Sequence, residues 1–207
     1  ALAWYPAIRT VLVAEGADCP PLPEGCRVVC IPEGLMQSLS TMRTPQGVIF
    51  TCALPQPEAP QLRPGMLLLD RIQDPGNLGT ILRTADAFAV PVVMTNGCTD
   101  AFSEKTVRAS MGAVLRTPPV SLPMEQVLAQ CAEKNIPIAA TALTKTAQEL
   151  TQVPLHEYLV VIGSEGQGIC ETLLRASQKQ IIIPMQPRCE SLNAAVAAAI
   201  VLWQMRG

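Results

Sequence analysis

The chain has 207 residues, a formal net charge of −2, and a composition with 49% hydrophobic and 15% charged residues. It is long enough to bury a substantial core and too apolar for extended disorder. Aromatic residues make up only 3% and there is no overall excess of basic residues. Composition therefore argues against a base-stacking platform and against a nonspecific nucleic-acid binder.

The termini, apolar runs and cysteines set further expectations. No apolar run reaches the roughly 18 residues of a membrane span and no secretory signal opens the chain, so we expect no membrane partner. The first residue is Ala1 rather than Met, and we expect the natural N-terminus to lie upstream. The eight cysteines form no C-x-x-C pair and His156 is the only histidine. We predict reduced cytoplasmic thiols packed as small hydrophobes, no metal site and no histidine-based triad.

The first 53 residues predict a partial α/β module. Residues 11–14, 27–31 and 48–53 are typical of strands, and residues 33–40 of a short helix. Residues 54–64 follow with four prolines, which exclude a helix or a central strand. We interpret this stretch as a semi-rigid linker and as the domain boundary.

From residue 65 onward, apolar strands alternate with helices. The predicted strands are 66–69, 92–95, 136–141, 159–163 and 181–183, and the predicted helices are 78–89, 103–109, 124–134 and 192–205. Continuous apolar strands separated by helices indicate an α/β fold with a largely parallel sheet covered by helices. Ligands of such sheets bind at the carboxyl ends of the strands, so the loops that leave those ends are the candidate sites.

The loop before the helix 78–89 is the first candidate. Its residues 74–76 are turn formers, and Asn77 is suited to cap the helix. Arg83 lies roughly 140° from Leu78 around the helix axis, off the apolar stripe. The pattern fits either an ordinary capped helix with a surface arginine or a pocket lined by Asn77 and Arg83.

The loop after strand 159–163 is the second candidate, with glycines at 163, 166 and 168. This G-x-x-G-x-G spacing differs from the dinucleotide fingerprint, and no Walker lysine follows, so a phosphate cradle is not indicated. Glycines let a backbone approach a ligand closely, and Glu165 would lie beside that ligand. A glycine-rich turn without a ligand explains the pattern equally well.

The loop after strand 181–183 is the third candidate and precedes an alanine-rich helix. Ser191 or Asn193 can cap this helix, and the alanines allow another element to pack closely. A tightly packed core helix would explain this segment by itself. The order of the three segments is more specific than any one of them.

Together the segments resemble the SpoU/TrmH-like family of SPOUT RNA 2′-O-ribose methyltransferases. The three family motifs occur in order as N-x-G-x-x-x-R at 77–83, G-x-E-x-x-G at 163–168 and I-P-M…S-L-N at 183–193. Residues 110–116 resemble the segment that the family carries between its first two motifs. Residues 44–48 resemble the end of a ribosomal-protein-like substrate-binding domain. The resemblance to the catalytic domain covers about residues 62–207.

The resemblance implies an enzyme that uses S-adenosyl-L-methionine to methylate a ribose 2′-hydroxyl of RNA, with ribosomal RNA favoured over transfer RNA. It implies a C-terminal trefoil knot, a homodimer whose second subunit completes the site, and no metal. Residues 1–53 would be a partial substrate-binding module, 54–64 a linker and 65–207 the SPOUT methyltransferase domain.

The resemblance also implies the site residues. The cofactor would be held by Thr141, Ala142, Leu143, Gly163, Glu165, Gly168, Ile183, Met185 and Leu192. The catalytic site would be formed by Arg83, Asn77, Glu165, Ser191 and Asn193.

The family assigns Arg83 to activating the hydroxyl. Because arginine stays protonated in proteins, we expect Arg83 instead to hold the adjacent phosphate and to stabilise negative charge on the 2′-oxygen. The proton would then pass to water or phosphate. One departure concerns Pro187, which stands where the third motif usually has glycine and removes an amide donor.

Two other classes compete with this interpretation. One is a non-catalytic RNA-binding protein that retains the fold, which the complete set of motif residues disfavours. The other is a nucleotide-dependent oxidoreductase on a plain parallel sheet, which the glycine spacing disfavours. A local RNA-binding surface could draw on Arg63, Arg71, Arg83, Lys105, Arg108 and Arg116.

Overall fold

The computed structural model describes residues 5–58, 60–144, 146–186, 188–189 and 191–206. The chain divides into two compact units, Ala1–Gln56 and Pro57–Gly207. This division falls inside the proline-rich stretch 54–64. The Pro187 departure in the third motif lies outside the described residues.

The first unit is a small α/β module. Its elements are β1 (Ile8–Ala14), β2 (Arg27–Ile31), α1 (Glu33–Leu39) and β3 (Val48–Cys52). The sheet order is β2-β1-β3, with β2 parallel and β3 antiparallel to β1. Ala14, Ile31 and Met36 form its buried cluster. Strand β1 begins before the predicted residue 11 because Ile8 pairs with Cys52 beyond a register irregularity.

The second unit contains a seven-stranded sheet with the order β6-β5-β4-β9-β7-β10-β8. In chain order its elements are β4 (Leu67–Asp70), α2 (Pro75–Ala87), β5 (Val92–Thr95), α3 (Glu104–Ala109), α4 (Ala113–Arg116), β6 (Val120–Leu122), α5 (Met124–Glu133), β7 (Ile138–Thr141), β8 (Gln148–Glu149), β9 (Leu159–Gly163), α6 (Glu171–Ala176), β10 (Lys179–Ile182) and α7 (Ala194–Met205). Every pair of neighbouring strands is parallel. The predicted parallel α/β sheet is confirmed.

The central strands β4 and β9 explain the continuous apolar runs in the sequence. Residues 67–69 and 159–161 are all 0% exposed. Successive residues of a strand point to opposite faces, so burial of every residue means that both faces of the sheet are covered. Since all strands run in one direction, the loops after β4, β7, β9 and β10 leave the sheet at the same edge.

Some short elements were not predicted from the sequence. They are α4, β6, β8 and α6, and none is longer than six residues. Such lengths hold less than two helical turns or only a few strand residues, so no periodicity becomes visible.

The start of α2 corrects the predicted cap. The helix begins at Pro75, its N-cap is Asp74, and Asp74 Oδ1 accepts a hydrogen bond from the Asn77 backbone N–H at 2.8 Å. The predicted cap role of Asn77 is therefore wrong. Proline suits the first helical position because it lacks an N–H that would need a partner. The Asn77 side chain is consequently free for the site described below.

The structure can be compared with two expectations from composition, namely that the cysteines are reduced and buried and that no segment spans a membrane. All eight cysteines are free thiols. Cys131 is buried, as expected of a small hydrophobe, whereas Cys19, Cys30 and Cys189 are exposed, so that expectation is wrong for these three. No helix in the described part of the chain is long and apolar enough to cross a membrane.

Candidate active site

Three polar side chains from the three loops meet in one hydrogen-bonded group. Asn77 Nδ2 donates to Glu165 Oε1 at 2.5 Å. Asn193 Nδ2 donates to Asn77 Oδ1 at 3.0 Å and to Glu165 Oε1 at 2.9 Å. The group joins the first turn of α2, the loop after β9 and the N-terminus of α7. The parallel topology brings these distant segments together.

The same group fixes the start of α7. The Ala194 N–H donates to Glu165 Oε1 at 3.0 Å, and Asn193 Oδ1 accepts from the N–H groups of Ala195 and Val196. A carboxylate and a side-chain cap both stabilise a helix N-terminus, where the backbone N–H groups otherwise lack partners. Of the two predicted caps, Asn193 is confirmed, whereas the exposed Ser191 does not cap the helix.

A buried carboxylate lies beneath this group and was missed from the sequence. Asp70, at the end of β4, is 0% exposed. Its Oδ2 accepts from the Cys170 N–H at 2.7 Å and from Arg71 Nε at 3.3 Å, and its Oδ1 accepts from the Thr95 hydroxyl at 3.2 Å. A buried charge requires such partners. The only available signal was an acidic residue directly after a fully apolar strand.

Arg71 links this buried carboxylate to the glycine-rich loop. Its Nη1 donates to Gln167 Oε1 at 3.0 Å and its Nη2 to the Gly168 carbonyl at 3.3 Å. Its own backbone is left-handed, with φ 57°. The sequence grouped Arg71 with possible RNA-binding cations, but the structure uses its guanidinium to hold the loop 163–168.

Two glycines of that loop are required by its geometry. A Cβ on Gly163 would lie 2.3 Å from the Gly168 backbone carbon, and Gly168 has φ 64°. The loop therefore folds back on itself too tightly for a side chain at 163. Gly166 differs, because nothing lies within 4 Å of a Cβ built there.

A cavity of about 510 Å³ lies where the loops after β7, β9 and β10 meet, and we call it the loop cavity. It is lined by every predicted cofactor residue and by Ser191: Thr141, Ala142, Leu143, Gly163, Glu165, Gly168, Ile183, Met185, Ser191 and Leu192. Leu143 is 63% exposed, as expected of an apolar residue that a ligand would cover. The volume lies in the range of roughly 300–1,000 Å³ for small-molecule sites.

The lining of the loop cavity fits an adenosyl group. Apolar side chains such as Ile183 and Leu192 can flank an aromatic ring, and the backbone of residues 141–143 offers donors and acceptors for its edge. The structure places these residues around one cavity, and their role in binding the cofactor stays a prediction.

A second cavity of about 550 Å³ adjoins the first, and we call it the side cavity. Its own lining includes Arg71, Gln73, Asp74 and Asn77. Residues 164–167 and Ala194 line both cavities.

The Asp74 carboxyl in the side cavity has a pKa below its usual range. The main cause is the hydrogen bond from the Asn77 backbone N–H, which stabilises the charged form, and Lys105 adds a further lowering. Asp74 is therefore a carboxylate at neutral pH.

Arg83 is the predicted catalytic residue that the structure does not bring to this group. It is exposed on α2 and lines neither cavity. It lies six residues beyond Asn77, which places it about 240° further around the helix and about 9 Å along the axis. Within the described residues, no carboxylate pairs with its guanidinium.

Most of the other candidate RNA-binding cations are paired. The ion pairs are Lys105–Asp74 at 3.3 Å, Arg108–Glu104 at 3.5 Å and Arg116–Asp86 at 2.6 Å. Arg71 is paired with Asp70. Arg63 is exposed and, like Arg83, has no ion-pair partner among the residues described. These surface pairs lower the local positive charge, while Lys105, Arg108 and Arg116 stay exposed to a partner.

Comparison with known proteins gives a consistent result. Residues 64–203 match the sequence model of the SpoU rRNA Methylase family. The chain is 32% identical over 204 residues to the 23S rRNA (guanosine(2553)-2′-O)-methyltransferase RlmP of Bacillus subtilis (strain 168), covering 97% of this chain and 81% of that protein.

Solved structures are similar over nearly the whole chain. A TrmH-family protein from Porphyromonas gingivalis has a TM-score of 0.78 and 35% identity, covering 99% of this chain and 84% of that one. An AdoMet-bound rRNA methyltransferase from Sinorhizobium meliloti has a TM-score of 0.79 and 29% identity, covering 97% of this chain and 80% of that one.

Proposed function

The chain belongs to the SpoU rRNA Methylase family, and on that premise we propose that it is an S-adenosylmethionine-dependent RNA methyltransferase acting on a ribose 2′-hydroxyl. One observation carries the proposal. The hydrogen-bonded group of Asn77, Glu165 and Asn193 borders a cavity lined by every residue expected to bind the cofactor.

The cofactor would occupy the loop cavity. The backbone of residues 141–143 and Gly163 would hold the polar edge of its adenosyl group, and the side chains of Ile183 and Leu192 would flank the ring. Bound S-adenosylmethionine supplies a methyl group on a positively charged sulfonium. No metal is needed for this transfer.

The protein's own contribution is positioning and electrostatics. Glu165 Oε1 is held by three donors, so the loop that forms the wall between the cavities is fixed before any ligand arrives. Preorganised polar groups lower the barrier because they do not reorient during the reaction. Arg83 would hold the phosphate next to the target ribose and stabilise negative charge on the 2′-oxygen, while the proton leaves to water or phosphate.

We propose a homodimer in which the second subunit completes the site. Two observations support it. Arg83 lines neither cavity of its own chain, so its contact with a reacting nucleotide would be made at a neighbouring site. Helix α7 exposes Val196, Ile200 and Trp203, which are spaced to form one apolar stripe, and Trp203 is 59% exposed.

The remaining expectations also belong to this proposal. Ribosomal RNA is favoured as substrate because the relative RlmP acts on 23S rRNA. A cytoplasmic location agrees with eight free thiols. The first unit would select the RNA, residues 54–64 would connect it to the methyltransferase domain, and α7 would thread the C-terminal trefoil knot implied by the family resemblance.

Calorimetric titration tests the proposal directly. We expect S-adenosylmethionine and its demethylated product to bind near micromolar, about −8 kcal/mol, with no binding of NAD as a control. Transfer of a radioactive methyl group to unmodified 23S rRNA and tRNA transcripts is then measured. Cofactor binding without transfer to ribosomal or transfer RNA would favour the non-catalytic RNA-binding alternative, and binding of NAD alone would favour the oxidoreductase.

A further inference from the structure

We propose that the side cavity receives the target ribonucleoside of the RNA, with its uncharged base and ribose inside and its phosphates outside. The inference rests on the proposed function and assigns a place to the second substrate. The relevant residues are Arg71, Gln73, Asp74 and the wall 164–167.

The side cavity and the loop cavity are neighbours, because residues 164–167 and Ala194 line both of them. A direct methyl transfer requires donor and acceptor to be held in adjacent subsites with reacting atoms close to contact. A cavity that shares its wall with the loop cavity meets this requirement. Its volume of about 550 Å³ is within the usual range for small-molecule sites, roughly 300–1,000 Å³.

The charge of the lining decides which part of a nucleotide fits. Asp74 and Glu165 both contribute carboxylates to the side cavity. Its cation Arg71 is already engaged with Asp70, Gln167 and the Gly168 carbonyl. Lys105 balances the charge of Asp74, and Asp70 balances the charge of Arg71, which keeps only two of its five N–H donors. The Glu165 carboxylate then remains to repel a phosphate. The cavity is therefore suited to a base and ribose rather than to a phosphate group.

Gln73 gives the cavity a specific recognition group. Its Nε2 donates to the carbonyl oxygens of Arg71 and Gly97. Because both partners are acceptors, the amide orientation is determined, and Oε1 must point away from them. No donor reaches Oε1 from the described part of the chain. Gln73 is exposed, so this acceptor is open to a ligand, and a base with an N–H group on its edge would bind it in place of water. We therefore assign Gln73 to base recognition.

Substitutions of Gln73 in the full-length chain test the inference. Gln73 is exposed, so its replacement should not prevent folding. Gln73→Ala removes the acceptor, and Gln73→Trp fills the cavity. The control is Gln126→Ala, an exposed glutamine on α5 that lines neither cavity. The measurements are kcat/KM for methyl transfer to unmodified 23S rRNA transcript and the calorimetric Kd of S-adenosylmethionine.

For Gln73→Ala we expect kcat/KM for the RNA to fall about fivefold to tenfold, which corresponds to the loss of one hydrogen bond. For Gln73→Trp, which fills the cavity, we expect a fall of more than about a hundredfold. The cofactor Kd should change by less than about twofold, and Gln126→Ala should match the wild type.

Two results would overturn the inference while leaving the proposed function intact. In one, both Gln73 variants methylate RNA as well as Gln126→Ala does. In the other, Gln73→Trp weakens cofactor binding as much as methyl transfer, which would place the cofactor in the side cavity. A wild-type protein that binds the cofactor but methylates no RNA would overturn the proposed function and this inference together.

Discussion

Asp70 and Glu165, two carboxylates at the edge of the sheet, have different roles because their surroundings differ. Asp70 is fully buried, and both of its oxygens are taken by protein donors, so it can only hold structure. Glu165 is exposed and receives its protein donors through Oε1 alone. Its Oε2 receives none from the described residues, and Glu165 lines both cavities. Glu165 is therefore the carboxylate that can also contact a ligand.

Asp74 provides a test of the corrected helix cap. Asp74→Ala should lower the free energy of unfolding by about 1 kcal/mol, whereas Asp74→Asn should cost much less because asparagine is also a good N-cap. Urea unfolding of both variants at neutral pH measures this difference. Equal losses for the two variants would mean that charge, rather than the cap hydrogen bond, is what stabilises the helix start.

The same residue gives a pH dependence with a defined sign. The pKa of Asp74 is lowered in the folded state, chiefly by the Asn77 N–H. Its charge-linked stabilisation is therefore fully present above the ordinary aspartate pKa and is lost as the pH falls through the lowered value. The stability difference between wild type and Asp74→Asn should shrink on acidification. A difference that grows would contradict this assignment.

Arg83 provides a test of the catalytic role. Arg83→Lys should reduce methyl transfer at least about tenfold, because lysine cannot reproduce bidentate guanidinium contacts with a phosphate. The cofactor Kd should not change, since Arg83 lines neither cavity. Arg175→Lys, at an exposed arginine on α6, is the control. Nearly full activity of Arg83→Lys would show that bidentate geometry is not required.

At the level of elements, the glycine of the first motif is explained by helix packing. Gly79 lies on the buried face of α2, where a Cβ would come within 2.5 Å of the Ala109 Cβ and 2.6 Å of the Thr106 carbonyl oxygen. The close approach of α3 therefore depends on a residue without a side chain. Because Asn77 lies in the first turn of the same helix, this packing also helps to hold the site.

Gly79→Ala should consequently destabilise the second unit by about 1–3 kcal/mol, despite the better helix propensity of alanine, because it overpacks the contact with α3. Thr80→Ala, one residue along on the exposed face, should stay within about 0.5 kcal/mol of the wild type. Urea denaturation of both variants decides between the two effects. A stabilised Gly79→Ala variant would mean that α3 can move away freely.

At the level of the whole molecule, the proline-rich stretch 54–64 does more than connect two units, because part of it packs into the core of the second unit. Leu62 is 2% exposed and belongs to the apolar core of that unit. Its N–H donates to Gln130 Oε1 at 2.9 Å. The second unit therefore needs chain that precedes residue 65.

Two fragments test this boundary. The fragment 57–207 should fold and bind the cofactor, whereas 65–207 should be less stable by about 2–3 kcal/mol because it lacks the buried leucine. Leu62→Ala in the longer fragment should reproduce most of the loss. Equal stability of the two fragments would show that the Leu62 contact contributes little.

The proposed dimer gives a second prediction at this scale. Ile200→Asp places a charge in the exposed apolar stripe of α7 and should convert the dimer to monomers in sedimentation equilibrium. Methyl transfer should then fall, because the second subunit completes the site. The control is Glu125→Gln, at an exposed position on α5, which should remain dimeric. A wild-type monomer with full activity would rule out a composite site.

The sequence by itself determined the parallel sheet, the three loops at its edge and a polar cap for the last helix at Ser191 or Asn193, between which the structure decided for Asn193. These features follow from short-range patterns: apolar runs of strand length, glycine spacing and a polar residue just before a helix. Only the tertiary structure decided that Asp74 caps α2, that Asp70 is buried, that most candidate RNA-binding cations are paired and that Arg83 lies apart from Asn77. The burial of Asp70 and the ion pairs Lys105–Asp74 and Arg116–Asp86 depend on distances between residues far apart in the chain, which strand order and helix packing set. The Asp74 cap and the position of Arg83 follow instead from where α2 begins, which the turn-forming residues 74–76 did not fix.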